Sequence, residues 1–158
     1  MTRALADLRV REAGVADAAA LAALRALFLG GGGEGGAAFA AAVATWLREE
    51  GGRRTTWLAE RDGGAIGMAS LFEYRRMPKP GLQPSRWGYV SNMFVREEHR
   101  DAGVGAALLD TVIAAARERG YARLVLSPSE RAVPFYERAG FHVPDGSLAG
   151  DRLLVRPG

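Results

Sequence analysis

The spacing of hydrophobic and polar positions changes several times along the chain, and each change marks an element. In residues 8–12, Leu8 and Val10 alternate with Arg9 and Arg11, the period of a half-buried strand. After Asp17, a candidate N-cap, Leu21, Leu24, Leu27 and Phe28 fall on one helical face. The glycine run of residues 30–36 ends that helix and reads as a connector in preference to a lid hinge. Phe39, Val43, Trp46 and Leu47 predict a second helix, closed by Gly51 and Gly52. Residues 55–61 and 65–74 predict a hairpin around the tight turn Asp62-Gly63-Gly64. Residues 75–86 carry Pro78, Pro80 and Pro84 and predict a loop. A fourth strand follows over 87–95. Val104, Leu108 and Val112, with Leu109, Ile113 and Ala116, then predict a third helix reaching Arg119 and capped by Gly120. A fifth strand is expected over 123–127 and a short helix over 131–139, stopped by Gly140. Two last strands, 141–143 and 152–155, flank the turn Pro144-Asp145-Gly146.

This order predicts an α+β fold: a mixed, mostly antiparallel sheet of about seven strands flanked by about four helices. The strand–helix–strand unit in the second half implies one parallel pair with a right-handed crossover. A length of 158 residues at 48% hydrophobic composition predicts a single domain over 1–158. No apolar run approaches the ~20 residues of a membrane span, and the first residues lack the apolar core of a signal peptide, so a cytoplasmic protein without membrane partners is expected. Zero cysteines exclude disulfides, thiolate metal sites and a cysteine nucleophile, and with two histidines no metal is expected. The formal charge is only +3, and Lys79 is the sole lysine among the basic residues. Without clustered basic residues, a nucleic-acid partner is not expected.

The chemistry concentrates where the third helix opens. Gly103 and Gly105 leave its first N–H groups uncovered at the positive end of the helix dipole, an arrangement that suits an anion. The order Arg100-x-x-Gly103-x-Gly105-Ala106 lacks the Gly-Lys-Ser/Thr of a phosphate loop, and a dinucleotide fingerprint would need glycine at Leu108. It resembles instead the pyrophosphate-binding motif of the GNAT superfamily of N-acetyltransferases, R/Q-x-x-G-x-G/A. A second stretch supports the resemblance: residues 129–141 supply Ala132, Phe135, Tyr136, Glu137, Gly140 and Phe141 where that superfamily commonly has N-x-x-A-x-x-[LF]-Y-[E]-x-x-G-F. Ser129 replaces the frequent asparagine. The element order is similar to the GNAT fold from end to end.

The resemblance implies that acetyl-CoA is the acyl donor and a primary amine the acceptor, with direct transfer. Backbone groups of Met93, Phe94 and Val95 would pair with the pantetheine arm. The loop Arg100, Asp101, Ala102, Gly103, Val104, Gly105 and Ala106 would hold the diphosphate, with the Asp101 side chain turned outward. Ser129 and Ala132 would lie along the pantetheine arm. A bulge in the fourth strand would free an N–H of Met93 or Phe94 for the developing oxyanion, and Tyr136 would protonate the leaving thiolate. A catalytic base is not identified: Glu73 is the nearest acidic candidate, and a solvated strand-end charge is its preferred role. His99 reads as loop packing or phosphate-proximal support, and His142 has no acidic partner at recognisable spacing. Trp46, Trp57 and Trp87 read as core or cleft-wall aromatics. The basic residues Arg75, Arg76, Lys79 and Arg86 read as a solvated loop in preference to a substrate contact. The alternative function is a non-catalytic acyl-CoA-binding or sensing module of the same fold. The resemblance also allows a homodimer.

Overall fold

The computed structural model describes residues 7–31, 36–144 and 154–157. The described strands are β1 (Arg9–Glu12), β2 (Arg54–Arg61), β3 (Gly64–Arg75), β4 (Arg86–Val95), β5 (Arg123–Leu126) and β6 (Leu154–Pro157). The helices are α1 (Ala18–Phe28), α2 (Gly36–Glu50), α3 (Val104–Glu118) and α4 (Val133–Arg138). The six strands are ordered β1-β2-β3-β4-β5-β6 in one sheet. As the strand–helix–strand pattern implies, β4 and β5 are parallel, whereas β1 with β2 and β5 with β6 are antiparallel. The residues group into two compact units, Met1–Ser70 with Asn92–Thr111 and Leu71–Ser91 with Val112–Gly158. The chain crosses between them within β3, β4 and α3.

In the first unit, α1 is built almost entirely from alanine and leucine, the strongest helix formers, and buries Ala18, Leu21, Ala22 and Leu24. Leu21 and Leu24 join Leu58 and Met68 in one cluster, with Val43, Leu47 and Phe94 packed against it. The hairpin turn is as expected: Asp62 and Gly63 both have positive φ, at 52° and 76°, the combination a tight two-residue turn requires. Asp17 does not act as predicted. Its side chain makes no cap bond to α1, because a 3-10 turn over Val15–Asp17 precedes that helix. The carboxylate instead accepts the Gly14 N–H at 2.8 Å and two N–H groups of Arg11.

In the second unit, β4 and β5 are in register at Gly88 opposite Leu124 and Tyr89 opposite Val125. A Cβ on Gly88 would lie 2.7 Å from Leu71 Cδ1 and 2.8 Å from Leu124 Cδ2, so only glycine fits this approach without displacement. The helix predicted over 131–139 begins as a 3-10 turn (Glu130–Ala132) and is α-helical only from Val133, with Pro134 in its first turn, where the missing N–H is harmless. The strand expected at 141–143 is reduced to one bridge between His142 and Val155, and the last described strand lies at Leu154–Pro157. The segment is held from the helix side, where Gly140 and Phe141 donate to the carbonyls of Glu137 and Tyr136. The predicted turn at Asp145-Gly146 and the middle of the glycine run, residues 32–35, lie outside the described residues.

Candidate active site

Two site-bearing segments emerge, one in each unit. In the first, β4 ends in a 3-10 turn (Glu97–His99) and the chain then reaches α3 through left-handed backbone, with φ of 58° at Asp101 and 84° at Gly103. A glycine tolerates the second of these without a Cβ penalty. The Gly103 carbonyl accepts the Ala107 N–H at 3.0 Å, so α3 starts directly after it and the amides of Val104, Gly105 and Ala106 form its open first turn. Val104 is buried and anchors the turn, Ala102 and Gly105 are half-buried, and Asp101 and Ala106 are exposed.

Arg100 folds back onto β4. Its Nε donates to the Val95 carbonyl at 3.0 Å, and its guanidinium lies 5.6 Å from the Phe94 ring centroid. Phe94 in turn meets Phe28 edge to face at 5.6 Å. The turn is thereby tied to both β4 and α1. His99 supports it from below through a 3.2 Å contact between Nδ1 and Nη1 of Arg61.

Just before the half-buried residues Met93, Phe94 and Val95, Asn92 has φ of 53°, breaking the pleat of β4. Its side chain holds that conformation from both ends. Oδ1 accepts from Arg25 Nη1 at 3.0 Å, and Nδ2 donates to Ser70 Oγ at 3.3 Å. Ser70 Oγ lies 3.0 Å from Thr56 Oγ1 in the interior. This polar chain was not found by reading the sequence, because its members stand on four separate elements. The available signal was Asn92 itself, a residue disfavoured in strands and tolerant of left-handed backbone.

In the second unit, Tyr136 is 7% exposed and packs edge to face against Phe135 and Phe141 at 5.0 and 5.8 Å. Among the described residues its hydroxyl has no hydrogen-bond partner, and burial pushes the phenol up to about 12. Ser129 is exposed and accepts the Ala132 N–H at 3.0 Å through its carbonyl, with no cap bond from its side chain. Ala132 is half-buried.

Glu73 is not a solvated charge but a buried one, which corrects the sequence expectation. Oε1 accepts from the Tyr121 hydroxyl at 2.8 Å and Arg86 Nη1 at 3.3 Å, and Oε2 accepts from Arg75 Nε at 2.6 Å. Burial alone would raise its pKa. The hydrogen bonds from Arg75 and Tyr121, with the charges of Arg75 and Arg86, outweigh burial and hold it below the usual range. A carboxylate bound this way is a poor proton acceptor. It also engages Arg75 and Arg86 at the two ends of the loop, although Arg75 stays exposed, as do Arg76 and Lys79. His142 is exposed. Trp57 is buried, Trp46 lies under the Arg54 guanidinium, and Trp87 packs against Tyr74. A cavity of about 190 Å³ opens between the end of β1 and the junction of α2 with β2, lined by Glu12, Leu47 and Arg54 among others, and contains no predicted site residue. Among the described residues, no group of three or more His, Cys, Asp or Glu could hold a metal ion, and no helix is long and apolar enough to cross a membrane.

A mixed sheet whose parallel pair is joined by a helix opening on a glycine turn is the architecture of acyl-CoA N-acyltransferases. The chain belongs to the acetyltransferase (GNAT) family, whose model matches residues 21–141. It is 29% identical over 89 residues to glucosamine 6-phosphate N-acetyltransferase of Trypanosoma brucei brucei, a match covering 56% of this chain and 58% of that one. It is 33% identical over 88 residues to an amino-acid acetyltransferase of Shewanella oneidensis, covering 56% of this chain and 18% of that one. The match thus spans less than two thirds of the length of these relatives. Among solved structures, a T. brucei acetyltransferase superposes with a TM-score of 0.72 at 25% identity, covering 92% of this chain and 99% of that one. An acetyltransferase of Clostridium acetobutylicum solved with acetyl-CoA shares the fold, with a TM-score of 0.71 at 22% identity over 91% of this chain and 96% of that one.

Proposed function

We propose that this protein transfers the acetyl group of acetyl-CoA directly to a primary amine. The observation that carries the proposal is the left-handed turn at Asp101 and Gly103, which presents the open amides of Val104, Gly105 and Ala106. Such amides, aided by the helix dipole, are suited to the diphosphate of the donor. When bound, acetyl-CoA supplies the thioester whose acyl group is transferred.

The chain's own groups then divide the work. Backbone groups of Met93, Phe94 and Val95 hold the pantetheine arm, with Ser129 and Ala132 along it. An N–H of Met93 or Phe94, released by the irregular backbone at Asn92, stabilises negative charge on the acyl oxygen. Tyr136, kept protonated by burial, donates to the leaving sulfur. With Glu73 engaged by Arg75, Arg86 and Tyr121, the ammonium of the acceptor loses its proton to water. The relatives are named for different acceptors, and none of these acceptors is carried over to this chain.

The test is acetyl-CoA binding by wild type and Gly103→Val. A branched side chain at this φ strains the turn by about 1–3 kcal/mol, so the dissociation constant is expected to rise about tenfold or more. Equal affinity of the two proteins would contradict the assignment of the diphosphate site.

A further inference from the structure

We infer that Arg25 recognises an anionic group, a carboxylate or a phosphate, carried by the acceptor alongside its reacting amine. The inference rests on the proposed acetyl transfer and names the chemical class of its acceptor.

Arg25 stands in the last turn of α1 and is half-buried. Its guanidinium is fixed at two points: Nη1 donates to Asn92 Oδ1 at 3.0 Å, and the group lies 5.5 Å from the Phe28 ring centroid. Some arginines of the fold are paired with carboxylates. Arg11 meets Asp17 and Glu60, and Arg75 and Arg86 meet Glu73. Among the described residues Arg25 has no carboxylate, and its Nε and Nη2 make no hydrogen bond. The N–H groups left over reach solvent, where an arriving anion can take them up. The planar fork of a guanidinium matches the oxygens of a carboxylate or phosphate. A cation in the last turn also complements the helix dipole, but that role needs no anchoring on Asn92. The anchor matters because Asn92 directly precedes Met93, so the charge is fixed beside the backbone that polarises the acyl oxygen.

The experiment measures CoA thiol release with matched acceptors in two arms: amino acids against their amides, and phosphoethanolamine against ethanolamine. Wild type is compared with Arg25→Gln and Arg25→Lys. In wild type, kcat/KM is expected to favour the anionic member of at least one arm by about tenfold or more, and the responding arm identifies carboxylate or phosphate. Arg25→Gln should bring that ratio to about one through KM, and Arg25→Lys should restore part of it. A purely structural role would lower both members of a pair alike and leave the ratio unchanged, which overturns the inference. So does equal use of neutral and anionic amines by wild type, with acetyl transfer itself intact. If no amine releases thiol although acetyl-CoA binds, acetyl transfer falls and the inference with it.

Discussion

Asn92 Nδ2 donates to Ser70 Oγ at 3.3 Å, so a left-handed residue in β4 is fastened to the interior of β3. The same side chain takes the Arg25 bond on its other end. Asn92→Ala removes both bonds and leaves an L-residue at positive φ with no polar side chain to favour it. The loss of stability is expected to be about 2 kcal/mol. Asn92→Gly relieves the backbone while still losing the bonds, and should cost less. Urea denaturation midpoints for the pair check the order. An alanine variant as stable as wild type would show that the irregularity in β4 does not depend on this residue.

Gly88 tests the packing between β4 and β5. Since an added methyl would press on Leu71, Leu124 and Tyr121 together, Gly88→Ala is expected to destabilise by about 1–3 kcal/mol. A thermal melt is sufficient, and an unchanged midpoint would mean that the leucine ends give way freely.

Acid should weaken the fold through two carboxylates. Asp17 is held below its ordinary pKa chiefly by hydrogen bonds from Arg11 and also by the Gly14 N–H, against the opposing effect of burial. Glu73 is also depressed, with burial opposing the bonds from Arg75 and Tyr121. A depressed carboxylate contributes stability that is fully present above its unfolded pKa, about 4, and is lost as pH falls through its folded value. Stability measured from pH 6 down to pH 3 should therefore fall mainly below about pH 4. Asp17→Asn or Glu73→Gln should make that fall shallower. An identical slope in both variants would remove these groups as its source.

Much of this fold is visible in hydrophobic spacing because each helix buries one clear stripe. Val104, Leu108 and Val112 of α3 were predicted as a set and are all buried. The glycine turn was equally visible, since positive φ selects residue types that a sequence displays. Contacts between distant elements were not visible. Glu73 reads as a solvated strand end in the sequence, but Arg86 and Tyr121, brought to it by folding, join its near neighbour Arg75 on the carboxylate oxygens. Asp17 looked like a cap, but Arg11 and Gly14 claim its oxygens. Arg25 lies 67 positions from Asn92, and no local period connects them. Residues 141–143 have strand-like composition, but among them only His142 pairs, through a single bridge to Val155.

The central claim is amine acetylation with Tyr136 as the acid, and it is tested most directly by amine-dependent release of CoA thiol from acetyl-CoA by wild type and Tyr136→Phe. The variant removes a hydroxyl without a partner among the described residues, so its melting temperature should be unchanged or slightly higher. Its kcat is expected to fall about 100-fold. Because burial holds the phenol at about 12, wild-type activity should show no loss from its ionisation up to about pH 10. Wild-type turnover with full activity in Tyr136→Phe would contradict the acid assignment. Absence of turnover with every amine, while acetyl-CoA still binds, would contradict the enzyme and leave an acyl-CoA-binding module.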